Sequence, residues 1–178
     1  GVRGFRGLGA AGQGPSRPHL EVSESGKFVV AHAIERSIII TGSASGIGAA
    51  TARRLAGPGI GILVHAKENE RGVADMCREL ERAGSATTGL CADLADPEAP
   101  HSIVDRARAA FGRIDALIHV AGFPVLGGFE AEPEVAQECF AAIPLAFYRL
   151  VRGCLSDLSA ARHARVVAVC THNTHVFR

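Results

Sequence analysis

The stretch Ile38-Ile39-Ile40-Thr41-Gly42-Ser43-Ala44-Ser45-Gly46-Ile47-Gly48 decides how this chain is read. Three β-branched residues in a row suit a strand buried on both faces. The glycines that follow turn the chain and open a helix. Gly42 permits the tight turn, Gly46 removes a side chain where an anion must approach the backbone, and Gly48 lets helix and strand pack closely. Unpaired first-turn amides and the positive end of the helix dipole then offer a seat to a diphosphate. A glycine triplet alone fits an ordinary glycine-rich turn equally well. The strand before it and the helix after it are the context that the phosphate reading requires.

Working outward, apolar runs alternate with helical patterns. Further strands are expected at Ile60 to Val64, Thr87 to Cys91, Ile114 to Val120 and Val166 to Val169. Between them, Val73, Met76, Cys77 and Leu80 share one helix face, as do Ile103, Val104, Ala107 and Phe111. Asp96-Pro97-Glu98 predicts the start of the second of these helices, with Asp96 as its cap. Strand and helix in strict alternation predict a doubly wound parallel α/β sheet, Rossmann-like, in three α/β/α layers.

TGSASGIG resembles the TGxxxGxG loop of the short-chain dehydrogenase/reductase family, and the resemblance covers roughly residues 36–172. Asp93-Leu94 falls where that family has an acidic residue near the adenine. Asp115-Ala116-Leu117-Ile118 leads into His119-Val120-Ala121-Gly122, in the place of the family's NNAG motif. Ala121 and Gly122 are kept there and both asparagines are replaced. The resemblance implies a nicotinamide cofactor held by Gly42, Ser43, Ser45, Gly46, Ile47, Gly48, Lys67, Asp93, Leu94, Ala121 and Gly122. Hydride transfer to or from a small-molecule carbonyl or alcohol is the implied reaction.

Cofactor choice is read at the end of the second strand, Ile62-Leu63-Val64-His65-Ala66-Lys67. A carboxylate there would accept from the ribose 2′-hydroxyl, whereas a cation accommodates a 2′-phosphate. Ala66 stands where NAD-preferring members carry Asp, and Lys67 follows, so NADP(H) is expected over NAD(H). The plain alternative is that Lys67 is a solvated surface lysine.

Catalysis in the family uses a tyrosine, a lysine four residues on, a serine and an asparagine. Thr171 takes the place of the serine at the end of the fifth strand. Ile143-Pro144 replaces the asparagine, and an interior proline removes a helical hydrogen bond and bends the helix, at about 3 kcal/mol. No Tyr-x-x-x-Lys occurs in the 178 residues. The sole tyrosine, Tyr148, followed at i+4 by Arg152, is expected to pack in the helix before the fifth strand rather than to act on substrate. The chain as given is therefore expected to bind a nucleotide without turning it over. The alternative function is a non-catalytic nucleotide-binding or interaction protein derived from the same family. His119 is read as a structural replacement for asparagine, with a titrating role as the other possibility.

Composition narrows the remaining classes. The net charge of +1 provides no field that would recruit nucleic acid, and no apolar run of about 20 residues predicts a membrane span. The cysteines are scattered without a CxxC pair, which points to reduced thiols in a cytoplasmic compartment. Cys170, His172 and His175 lack a fourth ligand, so no metal is expected. Residues 1–35, rich in Gly, Arg, Pro and Ser, are read as a flexible arm before a dinucleotide-binding domain over 36–178. Arg3, Arg6 and Arg17 also admit a mitochondrial transit reading, although no amphipathic pattern accompanies them. The helix around Glu134–Leu158 resembles the one that pairs subunits in the family, so a homo-oligomer is possible. If the sheet stopped after the fifth strand, Val166–Val169 would form an open apolar edge, and poor solubility is expected on that account.

Overall fold

Every second residue of the central strands goes to a different core, and that alternation explains the uninterrupted apolar runs. The computed structural model describes residues 19–22, 28–31, 33–123 and 132–170. Its strands are β1 (His19–Val22), β2 (Phe28–Ala31), β3 (Arg36–Thr41), β4 (Ile60–Ala66), β5 (Ala86–Cys91), β6 (Ala116–His119) and β7 (Arg165–Ala168). Its helices are α1 (Gly46–Leu55), α2 (Glu70–Arg82), α3 (Ala99–Phe111), α4 (Pro133–Phe140) and α5 (Ala146–Ala160). The sheet order is β5-β4-β3-β6-β7, with all neighbours parallel.

Ile39, Leu63 and Leu117 pack with Ile103, Val104 and Phe111 of α3 and with Leu150 and Cys154 of α5. On the other face, Ile38, Ile40, Ile62 and Val64 pack with Ala49 and Ala52 of α1 and with Val73, Met76 and Leu80 of α2. The result is the three-layer, doubly wound parallel fold expected from the sequence. Burying such side chains on both faces contributes roughly 1.5–3 kcal/mol for each one fully removed from water.

Asp115 ties the amino-terminal ends of three strands together. Its carboxylate accepts from the Ser37 amide at 2.8 Å and from the Arg113 guanidinium at 2.6 and 2.8 Å. Its own amide donates to the Ser37 carbonyl at 2.9 Å, and its carbonyl accepts from the Arg165 amide at 3.1 Å. Burial alone would push this carboxyl upward, but the guanidinium and the Ser37 amide hold it below the usual carboxylate value.

The structure corrects several expectations. Asp96 does not cap α3. Its carboxylate accepts from the Glu98 amide at 2.9 Å in a tight turn, and the helix begins at Ala99, with Pro100 in its first turn. Pro144 does not simply cost a bond. The turn Ala141–Leu145 widens into a π-helix, so α4 and α5 form one continuous helical run around the proline. That run, Pro133–Ala160, is long and apolar enough by length and composition to cross a bilayer, although its sequence contains no unbroken apolar stretch of that length. One stripe of it, including Ala146, Leu150, Cys154 and Leu158, is buried in the α3 core. The predicted strand limits shift by at most two residues at either end, Ile114–Val120 shortening to Ala116–His119 and Ile38–Ile40 lengthening to Arg36–Thr41.

A division of the chain falls between Ala33 and Ile34. No element was expected in residues 1–35 before the central strand, yet β1 and β2 pair antiparallel there, with His19 opposite Ala31 and Val22 opposite Phe28.

Candidate functional site

Along the carboxyl ends of β5, β4, β3 and β6 lies a cavity of about 740 Å³. It opens where β3 has its sequential neighbour β4 on one side and the crossover strand β6 on the other, the switch point at which open α/β sheets take ligands. The loop from Gly42 to Gly48 forms its floor. Lys67 and Asp93 stand on the β4–β5 side, and Ala121, Gly122 and Phe123 on the β6 side.

Close approach fixes two of the loop's glycines. A Cβ on Gly48 would sit 2.2 Å from the Gly42 carbonyl oxygen, and one on Gly42 would lie 2.9 Å from the Ala121 amide nitrogen. Gly46 differs: its φ is +54°, and a Cβ there would meet nothing within 4 Å. Its missing side chain leaves open space above the first turn of α1. That turn carries no acidic residue, and Ser45 makes no side-chain cap, so neither a carboxylate nor a hydroxyl competes for the amides facing the cavity.

Two buried histidines hold the loop; the sequence marks His119 as structural without naming its partner and gives no sign of the role of His65. Gly42 donates its amide proton to His65 Nδ1 at 3.2 Å, which leaves Nε2–H to donate to the Ala92 carbonyl at 3.0 Å. His65 is thereby fixed in the neutral Nε2–H form, and burial pushes its pKa down. Thr41 Oγ accepts from the amides of Val120 and Ala121 at 3.1 and 3.2 Å. With both lone pairs used, its proton goes to His119 Nδ1, 2.9 Å away. His119 must then also be neutral; burial, with a smaller repulsion from His65, lowers its pKa to about 4, against a weak opposing effect of the Ile143 carbonyl.

The sequence pattern of the short chain dehydrogenase family matches residues 36–177. The chain belongs to that family. It is 32% identical over 90 residues to the 3beta-hydroxysteroid dehydrogenase 1 of Eggerthella lenta, a match covering 51% of this chain and 34% of that protein. L-sorbose reductase from Gluconobacter frateurii, crystallised with NADPH and L-sorbose, is 28% identical with a TM-score of 0.70, over 78% of this chain and 53% of its own. A metagenomic short-chain oxidoreductase in complex with NADP is 25% identical, with a TM-score of 0.73 over 80% of this chain and 65% of its own. The chain thus spans only 34% of the curated relative's length and 53% of the sorbose reductase's.

Within this short-chain dehydrogenase domain, Gly42, Ser45, Gly46, Ile47, Gly48, Lys67, Asp93, Leu94, Ala121 and Gly122 all line the one cavity. Ser43 does not. Its amide donates to the His65 carbonyl at 2.9 Å, its hydroxyl donates to the Ile40 carbonyl at 2.6 Å, and its oxygen accepts from the His65 amide at 3.0 Å. Its amide and its hydroxyl both serve the strands. Lys67 is not a solitary lysine either. Its ammonium lies 2.9 Å from Asp93 Oδ2 and 3.0 Å from Glu138 Oε1, and these two carboxylates raise its pKa. Asp93 is held in turn by the Ala95 amide at 3.0 Å, which, with Lys67, keeps its carboxyl below the usual value.

Ile143 projects from the π-helical turn toward Gly122, where an added Cβ would lie 3.1 Å from Ile143 Cδ1. Tyr148 is not packed as expected but points outward from α5, 58% exposed, and does not line the cavity. Thr171, His172 and His175 lie outside the described residues. Among the described residues, no group of three His, Cys, Asp or Glu side chains could hold a metal ion.

Proposed function

We propose that this domain binds a nicotinamide dinucleotide, NADP(H) in preference to NAD(H), as the cofactor-binding part of an oxidoreductase acting on a small-molecule carbonyl or alcohol. The observation that carries this reading is the open space at Gly46, above unopposed first-turn amides, inside a cavity of about 740 Å³. The amides near Gly46 and Ile47 would take the diphosphate, Asp93 and Leu94 the adenine, and Ala121 and Gly122 the nicotinamide side. When bound, the nicotinamide supplies or accepts a hydride. Ala66-Lys67 supports the 2′-phosphate, and the NADPH and NADP held by the two solved relatives agree with it. Thr171 would orient the substrate oxygen. No Tyr-x-x-x-Lys lies within the 178 residues, so the chain by itself is proposed to bind without transferring hydride.

A second reading, a nucleotide-binding protein with no catalytic role, is favoured by His119-Val120 and Ile143-Pro144, which replace functional asparagines of the family inside the chain. One titration tests the site that both readings share. NADPH fluorescence should rise and saturate on addition of the protein, and the Gly46→Arg variant, which fills the open space with a side chain, should lose this at least tenfold. Failure of both NADPH and NADH to bind the unaltered protein would reject the dinucleotide site. Binding without oxidation is expected of this chain under either reading, whereas carbonyl-dependent oxidation of NADPH would reject the second.

The outer face of the Pro133–Ala160 helical run supports a homo-oligomer. Phe140, Tyr148 and Leu155 are each more than half exposed along it. Light scattering should report a dimer that Tyr148→Arg with Leu155→Arg converts to monomer; an unchanged mass would remove this face from consideration. The cysteines are all free, in keeping with a cytoplasmic, reducing compartment.

A further inference from the structure

We propose that Glu138 sets the cofactor preference of this site, by sharing the Lys67 ammonium with Asp93 and opposing a 2′-phosphate at the ribose end of the cavity. This rests on the dinucleotide reading above and adds to it a residue that neither the glycine loop nor the β4 end contains.

One cation faces two anions here. Lys67 Nζ is 2.9 Å from Asp93 Oδ2 and 3.0 Å from Glu138 Oε1, so the cluster carries a formal charge of −1 where Lys67 alone would offer +1. A bound 2′-phosphate brings close to two further negative charges. The attraction of Lys67 for it is therefore offset by two carboxylates at similar range, and the preference for NADP(H) is shallow.

The two carboxylates are not equivalent. Asp93 is anchored on the loop after β5 by the Ala95 amide, and it lines the cavity. Glu138 arrives from α4, 71 residues along the chain from Lys67. No residue of α4 is buried, and the Cys139 thiol next to Glu138 makes a long contact of 3.7 Å to the Phe123 carbonyl. Glu138 is thus the partner that can withdraw, and its charge is the one a substitution can remove without disturbing the fold. All three groups are nearly half exposed, so the interactions are screened and the effect on affinity is modest.

Glu138→Gln keeps the side chain's size and removes its charge. Each unit charge at about 4 Å in water is worth roughly a fivefold change in an equilibrium constant. Paired titrations of the unaltered chain and E138Q with NADPH and NADH, at low salt, should show NADPH binding about fivefold tighter in E138Q and NADH unchanged within about twofold. The gain should shrink in 0.5 M NaCl. Both nucleotides tightening in parallel, or an unchanged ratio of the two, would overturn the role of Glu138 while leaving the dinucleotide site standing. Absence of binding of either nucleotide to the unaltered chain would overturn the site and this inference with it. As a second variant, Lys67→Met should lower NADPH affinity at least fivefold and spare NADH; equal loss of both would count against the proposal.

Discussion

Gly48→Ala should destabilise the domain by about 3 kcal/mol and abolish nucleotide binding, although it adds a single methyl group. That methyl would sit 2.2 Å from the Gly42 carbonyl oxygen, 2.8 Å from its carbon and 2.9 Å from Ser43 Cα. All three are backbone atoms, so no rotamer change relieves the contact. Retreat of the loop is blocked as well. Ser43 is bonded to His65 through both its amide and its hydroxyl, and the Gly42 amide is bonded to His65 Nδ1. Toward β6, the space beside Gly42 is filled by the Ala121 backbone. Helix α1 must therefore move as a body, carrying its first-turn amides away from the cavity, and overpacking of this kind costs about 1–3 kcal/mol before that displacement is counted. Urea unfolding measures the first effect and NADPH fluorescence the second. Gly57→Ala is the control, since a Cβ there meets nothing within 4 Å and its φ is unexceptional. Nucleotide affinity in Gly48→Ala equal to that of the unaltered chain would show that the loop does not hold the ligand as described.

Between pH 6.5 and pH 4 the domain should lose about 3 kcal/mol of stability through His119. The folded protein keeps this imidazole neutral down to about pH 4, because protonating a ring that is 3% exposed and already takes the Thr41 proton at Nδ1 would bury an ill-paired charge. The unfolded chain binds the same proton with an ordinary pKa near 6.5. Below 6.5 the unfolded state therefore holds more protons than the folded state, and stability falls with pH until the folded ring also titrates. A shift from 6.5 to about 4, at about 1.4 kcal/mol per pKa unit, amounts to about 3.5 kcal/mol in full, of which about 3 kcal/mol falls between these two pH values. His65 is shifted in the same direction and adds to the loss. Asp93 and Asp115, whose pKa values are held down, lose their contributions only at more acid pH. His119→Asn offers Thr41 a carbonyl acceptor in place of Nδ1 and has no proton to gain. Urea unfolding from pH 7.5 to 4.5 should show a flatter slope in this variant, and a slope equal to that of the unaltered chain would remove His119 as the cause.

The histidine clasp also bears on function. Protonation of His65 takes away the acceptor of the Gly42 amide, and protonation of His119 takes away the acceptor of the Thr41 hydroxyl, so both loosen the segment that forms the cavity floor. Loss of nucleotide affinity is expected to accompany the acid loss of stability rather than to precede it. His119, which by resemblance stands in the place of an asparagine, links to Thr41 and makes that link sensitive to acid.

What the residues alone determined is whatever neighbouring positions along the chain decide by themselves. Ile38-Ile39-Ile40 can be apolar throughout only where both faces of a strand are covered, and α1 with α2 on one side and α3 with α5 on the other do cover them. Gly42, Gly46 and Gly48 lie within one turn of each other, so their spacing already encodes the loop and the helix start. Tertiary packing decided the rest, because the partners are far apart in sequence. His65 looks like any strand residue, and His119 like a structural residue without a partner, until β4 and β6 are laid on either side of β3. Lys67 reads as a free cation until α4, 71 residues on, brings Glu138 to it. Pro144 reads as a broken helix, because residue spacing does not reveal the π-helical turn around it, which leads into an α5 seated in the α3 core. Local geometry is written in residue spacing, whereas charge balance and protonation depend on which groups the fold brings within about 4 Å of each other.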